Sequence, residues 1–395
     1  MVTDPIDPPI PILDVPGADA GRRGLPARSQ LTAVQRATVD LSVLADLGLR
    51  TAVASMIGAA MLPTMVSELF RRSTVSRERE ALQFYADLAA AKDPKVSFPA
   101  PPEAPVVTAR RANPLAQWVA HGDVHNLSFP SSFRAINPEL RELWNGLERN
   151  NTVRAQHWRH GDGPRPTLCV IHGFMGSAYL ANGLFFSLPW FFKSGYDVLL
   201  YLMPFHGQRA EKGSPFSGFG IFANGMAGFA ETMAQAIHDF RSVLDHLEAS
   251  GVPKVAVTGL SLGGYTSALA ASVDHRIQAV IPNVPVVTPE AAFDDWWPAN
   301  KLVSLGRHTS GVSREASVAA SAFHSPLNYP PLVPKARRLI ITGLGDRLAP
   351  PEQAEALWRH WDRCALHWFP GNHLVHVSQR DYLRRMTKFL SPIMF

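Results

Sequence analysis

The sequence predicts an α/β fold organised around a mostly parallel, doubly wound sheet. Three observations lead there. After about Asn151, short apolar runs alternate with amphipathic helical segments, the pattern of repeated βα units. The runs are apolar at consecutive rather than alternate positions, as strands covered on both faces must be. One run passes directly into Gly259-Leu-Ser261-Leu-Gly263-Gly264 and then into a helix-forming segment, a strand–turn–helix junction with a nucleophilic side chain at its tip.

At 395 residues the chain exceeds the ~250–300 that one core usually serves, so the sheet domain should carry an extension. Hydrophobic residues make up 46% and charged residues 18%, which describes a folded globular protein. Cys169 and Cys364 are too few for a disulfide framework or a four-thiolate metal site. They read as small buried hydrophobes and fit a cytoplasmic setting. The 15 histidines show no metal-ligand spacing with a helical carboxylate, so no metal or other cofactor is expected. The net charge of +5 is spread evenly, without a basic stripe, which argues against a nucleic-acid partner.

In chain order, residues 1–30 read as a disordered tail: proline fills five of the first sixteen positions, and the charged and apolar regions of a signal peptide are missing. Residues 31–97 read as a helical extension, with Leu31, Val34, Leu41, Leu44 and Leu47 near helical spacing. Within it, residues 51–70 carry a single charge, Glu68, over the length of a membrane span. Small and polar residues dilute that stretch and Pro63 interrupts it. Its expected place is against the catalytic domain or a partner subunit, with a membrane surface as the competing contact. The proline-rich run Phe98–Pro105 opens a linker and lead-in over 98–150.

The catalytic domain then occupies 151–395. Its expected strands are Thr167–Ile171, Tyr196–Met203, Lys254–Thr258, Ala279–Asn283, Arg338–Thr342 and Cys364–Phe369. Met226, Phe229, Met233, Ile237, Phe240, Leu244 and Leu247 repeat every three or four residues and predict a long helix between the second and third strands.

The chemistry centres on Ser261. A strand that turns at once into a helix forces its tip residue into a strained backbone, and Gly259 and Gly263 leave room for it. A serine hydroxyl needs a base, and the base an orienting acid, each just after a later strand. Asp346 follows the fifth strand in Gly343-Leu-Gly-Asp346. His373 follows the last in Gly371-Asn-His373, with His376 as the alternative base. An oxyanion hole needs two N–H donors. Leu262, after the nucleophile, supplies one; Phe174 in His172-Gly173-Phe174 supplies the other, with Met175 second in line.

These pieces, in this order, resemble the α/β-hydrolase superfamily over roughly Asn151 to Phe395. The resemblance implies an eight-stranded α/β-hydrolase sheet and a helical lid inserted before the acid strand, here about 285–336. Trp296 and Trp297 in that insertion are candidate pocket residues suited to an apolar acyl or alcohol group. The loop after the second strand, Met203-Pro-Phe-His206-Gly-Gln-Arg209, departs from the common acidic pattern. It looks like a Pro-Phe-x-Gly-x-Arg branch that includes lipid deacylases. His206 is a further candidate pocket residue, although both His206 and Arg209 read first as structural. The expected function is a serine hydrolase acting on a small-molecule carboxylic ester or lipid. Acyl transfer by the same triad and a non-catalytic membrane-associated scaffold are the alternatives.

Overall fold

A computed structural model describes residues 24–69, 73–176, 178–377 and 379–395. Most of the expected tail, residues 1–23, therefore lies outside the described residues. Its last positions do have a place: Leu25 packs against the core and Gly24 sits beside Trp358.

Among the described residues the strands are β1 (Thr108–Arg111), β2 (Asp123–Pro130), β3 (Thr152–Arg159), β4 (Thr167–Ile171), β5 (Asp197–Leu202), β6 (Val255–Leu260), β7 (Ile277–Asn283), β8 (Leu339–Gly343) and β9 (Ala365–Phe369). They form one nine-stranded sheet in the order β1-β2-β3-β5-β4-β6-β7-β8-β9. From β5 through β9 the pairing is parallel, whereas β1–β2, β2–β3 and β3–β5 are antiparallel. The mostly parallel sheet is as expected, and the six expected strands lie within two residues of the observed ones.

The first three strands depart from expectation. The stretch 98–150, read as linker and lead-in, supplies β1 and β2, and the sheet has nine strands rather than eight. These strands lie at one side of the sheet, with β1 as its edge strand. All of β1 is exposed, and β2 mixes buried Val124, Leu127 and Phe129 with outward polar residues. They therefore lack the continuous apolar run that marks a strand buried on both faces.

The helices that matter for the site are α1 (Ala33–Leu69), α2 (Ser73–Ala90), α3 (Tyr179–Phe185), α4 (Leu188–Lys193), α5 (Gly225–Ala249), α6 (Leu262–Val273), α7 (Pro289–Asp295), α8 (Ala299–Ser310), α9 (Arg314–Ser321) and α10 (Gln379–Met394). The long helix expected from Met226 to Leu247 is α5. The insertion between β7 and β8 carries α7, α8 and α9. Leu82, Tyr85 and Ala89 of α2 belong to the same buried core as β4, β5, α5 and α6. The Tyr85 hydroxyl donates to buried Glu231 on α5 at 2.7 Å, and the Ile136 and Asn137 amides donate to that carboxylate as well. Residues 31–97 are thus joined to the sheet domain through its interior.

Helix α1 is long and apolar enough over Ala33–Leu62 to cross a bilayer by length and composition. Of its expected apolar stripe, Leu31 is buried and Leu47 half-buried, but the rest faces outward. Val34, Leu41 and Leu44 are exposed, while Val39, Ser42, Asp46, Ala54 and Ile57 face the protein. Residue 70 and the side chains from Pro63 onward in the 51–70 stretch lie outside what is described.

Arg209 has no exposed surface. Its guanidinium donates to the Asn150 carbonyl at 2.9 and 2.6 Å, to the Leu202 carbonyl at 3.2 Å and to Asp239 Oδ2 at 2.6 Å. This side chain fixes the loop after β5 to the start of β3 and to α5. Replacing Arg209 with Ala leaves Asp239 buried without its counter-charge. The expected loss is about 3–5 kcal/mol of stability, measured as a lower denaturant midpoint.

Candidate active site

Parallel strands place their following loops along one edge of the sheet, where ligands of open α/β folds bind. Ser261 follows β6, the His172–Gly176 loop follows β4, Asp346 follows β8 and His373 follows β9. Four stretches far apart in sequence therefore meet at that edge.

Ser261 has φ 57° and ψ −116°, a conformation that costs a non-glycine residue ~1–3 kcal/mol and persists only where its surroundings enforce it. The enforcement is steric and bonded. A Cβ added at Gly263 would lie 2.0 Å from the Ile171 carbonyl oxygen, and one at Gly259 would lie 2.2 Å from the Gly263 oxygen. The Ser261 amide donates to the Asn283 carbonyl of β7 at 3.0 Å. Leu262 is the first residue of α6, so its amide has no helical carbonyl four residues behind it.

The loop after β4 turns tightly through Met175 at φ 65°, closed by the Gly176 amide donating to the Gly173 carbonyl at 3.1 Å. Gly173 lies against the elbow: an added Cβ there would come within 3.5 Å of the Ser261 Cβ. His172, quoted in the sequence only as part of a motif, is what anchors this loop. Its Nδ1 donates to the Gly173 carbonyl at 2.8 Å and its Nε2 accepts from the Met203 amide at 3.1 Å. Burial drives its pKa down to about 4, so it serves as a neutral ring, the form that both bonds require.

Asp346 is fully buried and its carboxylate is divided between two tasks. Oδ1 accepts from the amides of Leu348 (2.9 Å) and Ala349 (2.7 Å), and Oδ2 meets His373 Nδ1 at 2.7 Å. Burial pulls the His373 pKa down, but the Asp346 charge and hydrogen bond, aided by the charge of Asp46, leave it above the ordinary value. The loop around His373 is shaped by Asn372, whose Oδ1 accepts from the Leu374 (3.1 Å) and Val375 (2.7 Å) amides. An asparagine in a tight turn is a legible signal for such capping.

The alternative base sits elsewhere. His376 bonds to the Tyr382 hydroxyl (3.1 Å) and the His373 carbonyl (3.2 Å), and burial takes its pKa down to about 4. Of the two histidines, Asp346 touches His373. Among the described residues, no hydrogen bond joins Ser261 Oγ to His373.

The candidate pocket residues differ among themselves. His206 is fully buried behind Phe174, its Nδ1 bonded to the Pro204 carbonyl at 2.9 Å, so it packs in the interior rather than on an open wall. Trp296 is half-buried and Trp297 is 57% exposed, at the junction of α7 and α8. The aromatic stretch after the β4 loop divides, with Leu188, Phe191 and Phe192 in the core and Leu184 and Phe185 exposed. Unforeseen in the sequence is an aromatic cluster in which Phe174 packs edge-to-face on Phe216 and Phe222. Among the described residues, no group of three or more His, Cys, Asp and Glu is placed to hold a metal ion.

Residues 166–307 match the family model described as the alpha/beta hydrolase fold. The chain has the α/β-hydrolase fold. Uncharacterized proteins from two strains of Mycobacterium tuberculosis, CDC 1551 / Oshkosh and H37Rv, are each 28% identical to it over 340 residues, which is 82% of this chain and 76% of theirs. Among solved structures, an acetyl xylan esterase from Paenibacillus sp. R4 superposes with a TM-score of 0.53 at 16% identity, covering 78% of this chain and 94% of that one. Acetyl xylan esterase 1 from Thermoanaerobacterium sp. JW/SL YS485 gives 0.51 at 15%, covering 79% and 94%. At that identity the likeness is one of fold.

The elbow of this fold has no slack at Gly263, because the atom an added Cβ would meet is backbone. Gly263→Ala should therefore lose soluble folded protein or any activity at Ser261, whereas Gly161→Ala, with nothing among the described residues within 4 Å of its added Cβ, should behave as wild type. Soluble yield and thermal melting compare the two.

Proposed function

We propose that this protein is a serine hydrolase that cleaves carboxylic esters bearing an apolar acyl group. The observation that carries the reading is the buried 2.7 Å Asp346–His373 contact on the sheet edge that also bears the strained Ser261. In this reading Ser261 Oγ attacks the ester carbonyl as His373 Nε2 takes its proton. Asp346 holds the ring through Nδ1 and stabilises the imidazolium. The Phe174 and Leu262 amides receive the tetrahedral oxyanion. His373 then protonates the departing alcohol, and water, activated by the same ring, releases the acid from the acyl-enzyme. The superposed acetyl xylan esterases are themselves ester-cleaving proteins, which agrees with this chemistry. The Phe174, Phe216 and Phe222 cluster beside the oxyanion loop favours an apolar acyl chain over a charged one.

A fluorophosphonate probe should label wild type and fail to label Ser261→Ala. Equal labelling of the two, or none of folded wild type, overturns the reading. On an ester series of increasing acyl length, His373→Ala should lose at least about 10³-fold in kcat while His376→Ala keeps most of it. Because the base must be neutral and its pKa stands above the ordinary ~6.5, kcat/KM should rise with pH through the neutral region and level off only above it.

We also propose that the outer side of α1 meets a lipid surface. Val34, Leu41, Leu44 and Leu62 are exposed there, opposite the face that Val39, Asp46 and Ile57 turn to the protein. Flotation with phospholipid vesicles should carry wild type, and a Leu41→Asp/Leu44→Asp variant should remain at the bottom of the gradient.

A further inference from the structure

Helix α1 reaches the two loops that present Asp346 and His373. Positions 39, 42, 46 and 50 lie on one side of a helix, and each meets those loops. Asp46, with no exposed surface, accepts through Oδ2 from the Arg347 amide at 2.5 Å and the Leu348 amide at 3.2 Å. Leu348 N–H also donates to Asp346 Oδ1, so the two carboxylates share one amide. One turn earlier, the Ser42 carbonyl accepts from Asn372 Nδ2 at 3.3 Å, beside His373. One turn later, Arg50 donates to the Arg347 carbonyl at 3.4 Å. The approach leaves no room for a side chain: a Cβ at Gly345 would lie 2.5 Å from the Ser42 Cβ and 3.1 Å from the Val39 oxygen.

We propose that Asp46 is a positioning residue for the reaction, a second carboxylate brought from outside the hydrolase domain that fixes the acid loop and adds its negative charge to the stabilisation of the His373 imidazolium. This rests on the serine-hydrolase reading above. The charged and titratable groups facing Asp46 are Arg50 on its own helix, Asp346 and Arg347 on the acid loop, and His373 on the base loop. Burial first, and then the neighbouring Asp346 charge, raise the Asp46 pKa to about 6, against the two amides and His373, which lower it. Above that pH Asp46 carries the negative charge that faces His373. Among the described residues its Oδ1 is buried without a hydrogen-bond partner, so the carboxylate is held by its amide contacts and its electrostatic surroundings.

The substitution Asp46→Asn keeps an oxygen for both amides, removes the charge and puts an NH2 at the Oδ1 position, while Asp46→Ala removes the clamp as well. On a short-chain ester, Asp46→Asn should leave KM within about twofold, lower kcat by roughly 10-fold and move the acid limb of kcat/KM down by at least about half a pH unit. Asp46→Glu, which restores the charge, should return the limb toward the wild-type pH. Direct titration of the His373 ring by NMR in a Ser261→Ala background provides a readout that needs no turnover. There Asp46→Asn should lower the His373 pKa by a similar amount. Failure of wild type to hydrolyse esters or to label would remove the catalytic reading while leaving this titration intact. An unmoved His373 pKa in a folded Asp46→Asn protein would falsify the role of Asp46.

Discussion

Everything at this sheet edge depends on one close approach between backbones. The end of β4 and the first turn of α6 meet so tightly that the Ile171 carbonyl occupies the place where a side chain on residue 263 would begin. That contact holds Ser261 in its costly conformation and brings the β4 loop against the elbow. Interiors packed this densely do not yield to a displaced atom by deforming smoothly. Strain at the serine is therefore maintained by the sheet itself, through the parallel registers β4–β6 and β6–β7 that set where each strand ends.

The parallel half of the fold was legible because its signals are local. A strand buried on both faces is apolar at consecutive positions, and a glycine pair flanking a serine needs only neighbouring residues to make its case. The elbow, Gly343-Leu-Gly-Asp346 and Gly371-Asn-His373 could thus be found from sequence, and the pairing of Asp346 with His373 rather than His376 then followed from where the loops sit. The antiparallel edge was not legible in the same way. In β2, polar Asp123, His125, Asn126 and Ser128 interrupt the apolar positions, and in β1 two of four residues are arginine. Their pairing is specified by the neighbouring strand more than by their own sequence.

Helix α1 reverses the usual inference from amphipathicity. Its leucines at 41 and 44 point outward, and the side that binds the protein carries Ser42, Asp46 and Arg50. An apolar stripe marks a buried face only when burial is what holds the helix in place. Here part of the docking is polar and directed at backbone groups of two loops, which no periodicity in residues 31–50 can announce. The expected lid region is similar: its location between β7 and β8 follows from topology, but its packing on α1 and α2, as where Arg79 donates to the Gly311 carbonyl, is a long-range matter.

The Asp46–Arg347 and Asn372–Ser42 hydrogen bonds close loops of 301 and 330 residues. A ribosome releases α1 long before the chain around Asp346 and His373 exists, so α1 has nothing to dock on until translation is nearly finished. Contacts of such separation form late because their loop-closure entropy has to be met first. The loops of Asp346 and His373 therefore gain their outer support late, and a chain that stalls or is cut short between Leu262 and Gly371 carries the elbow serine without His373.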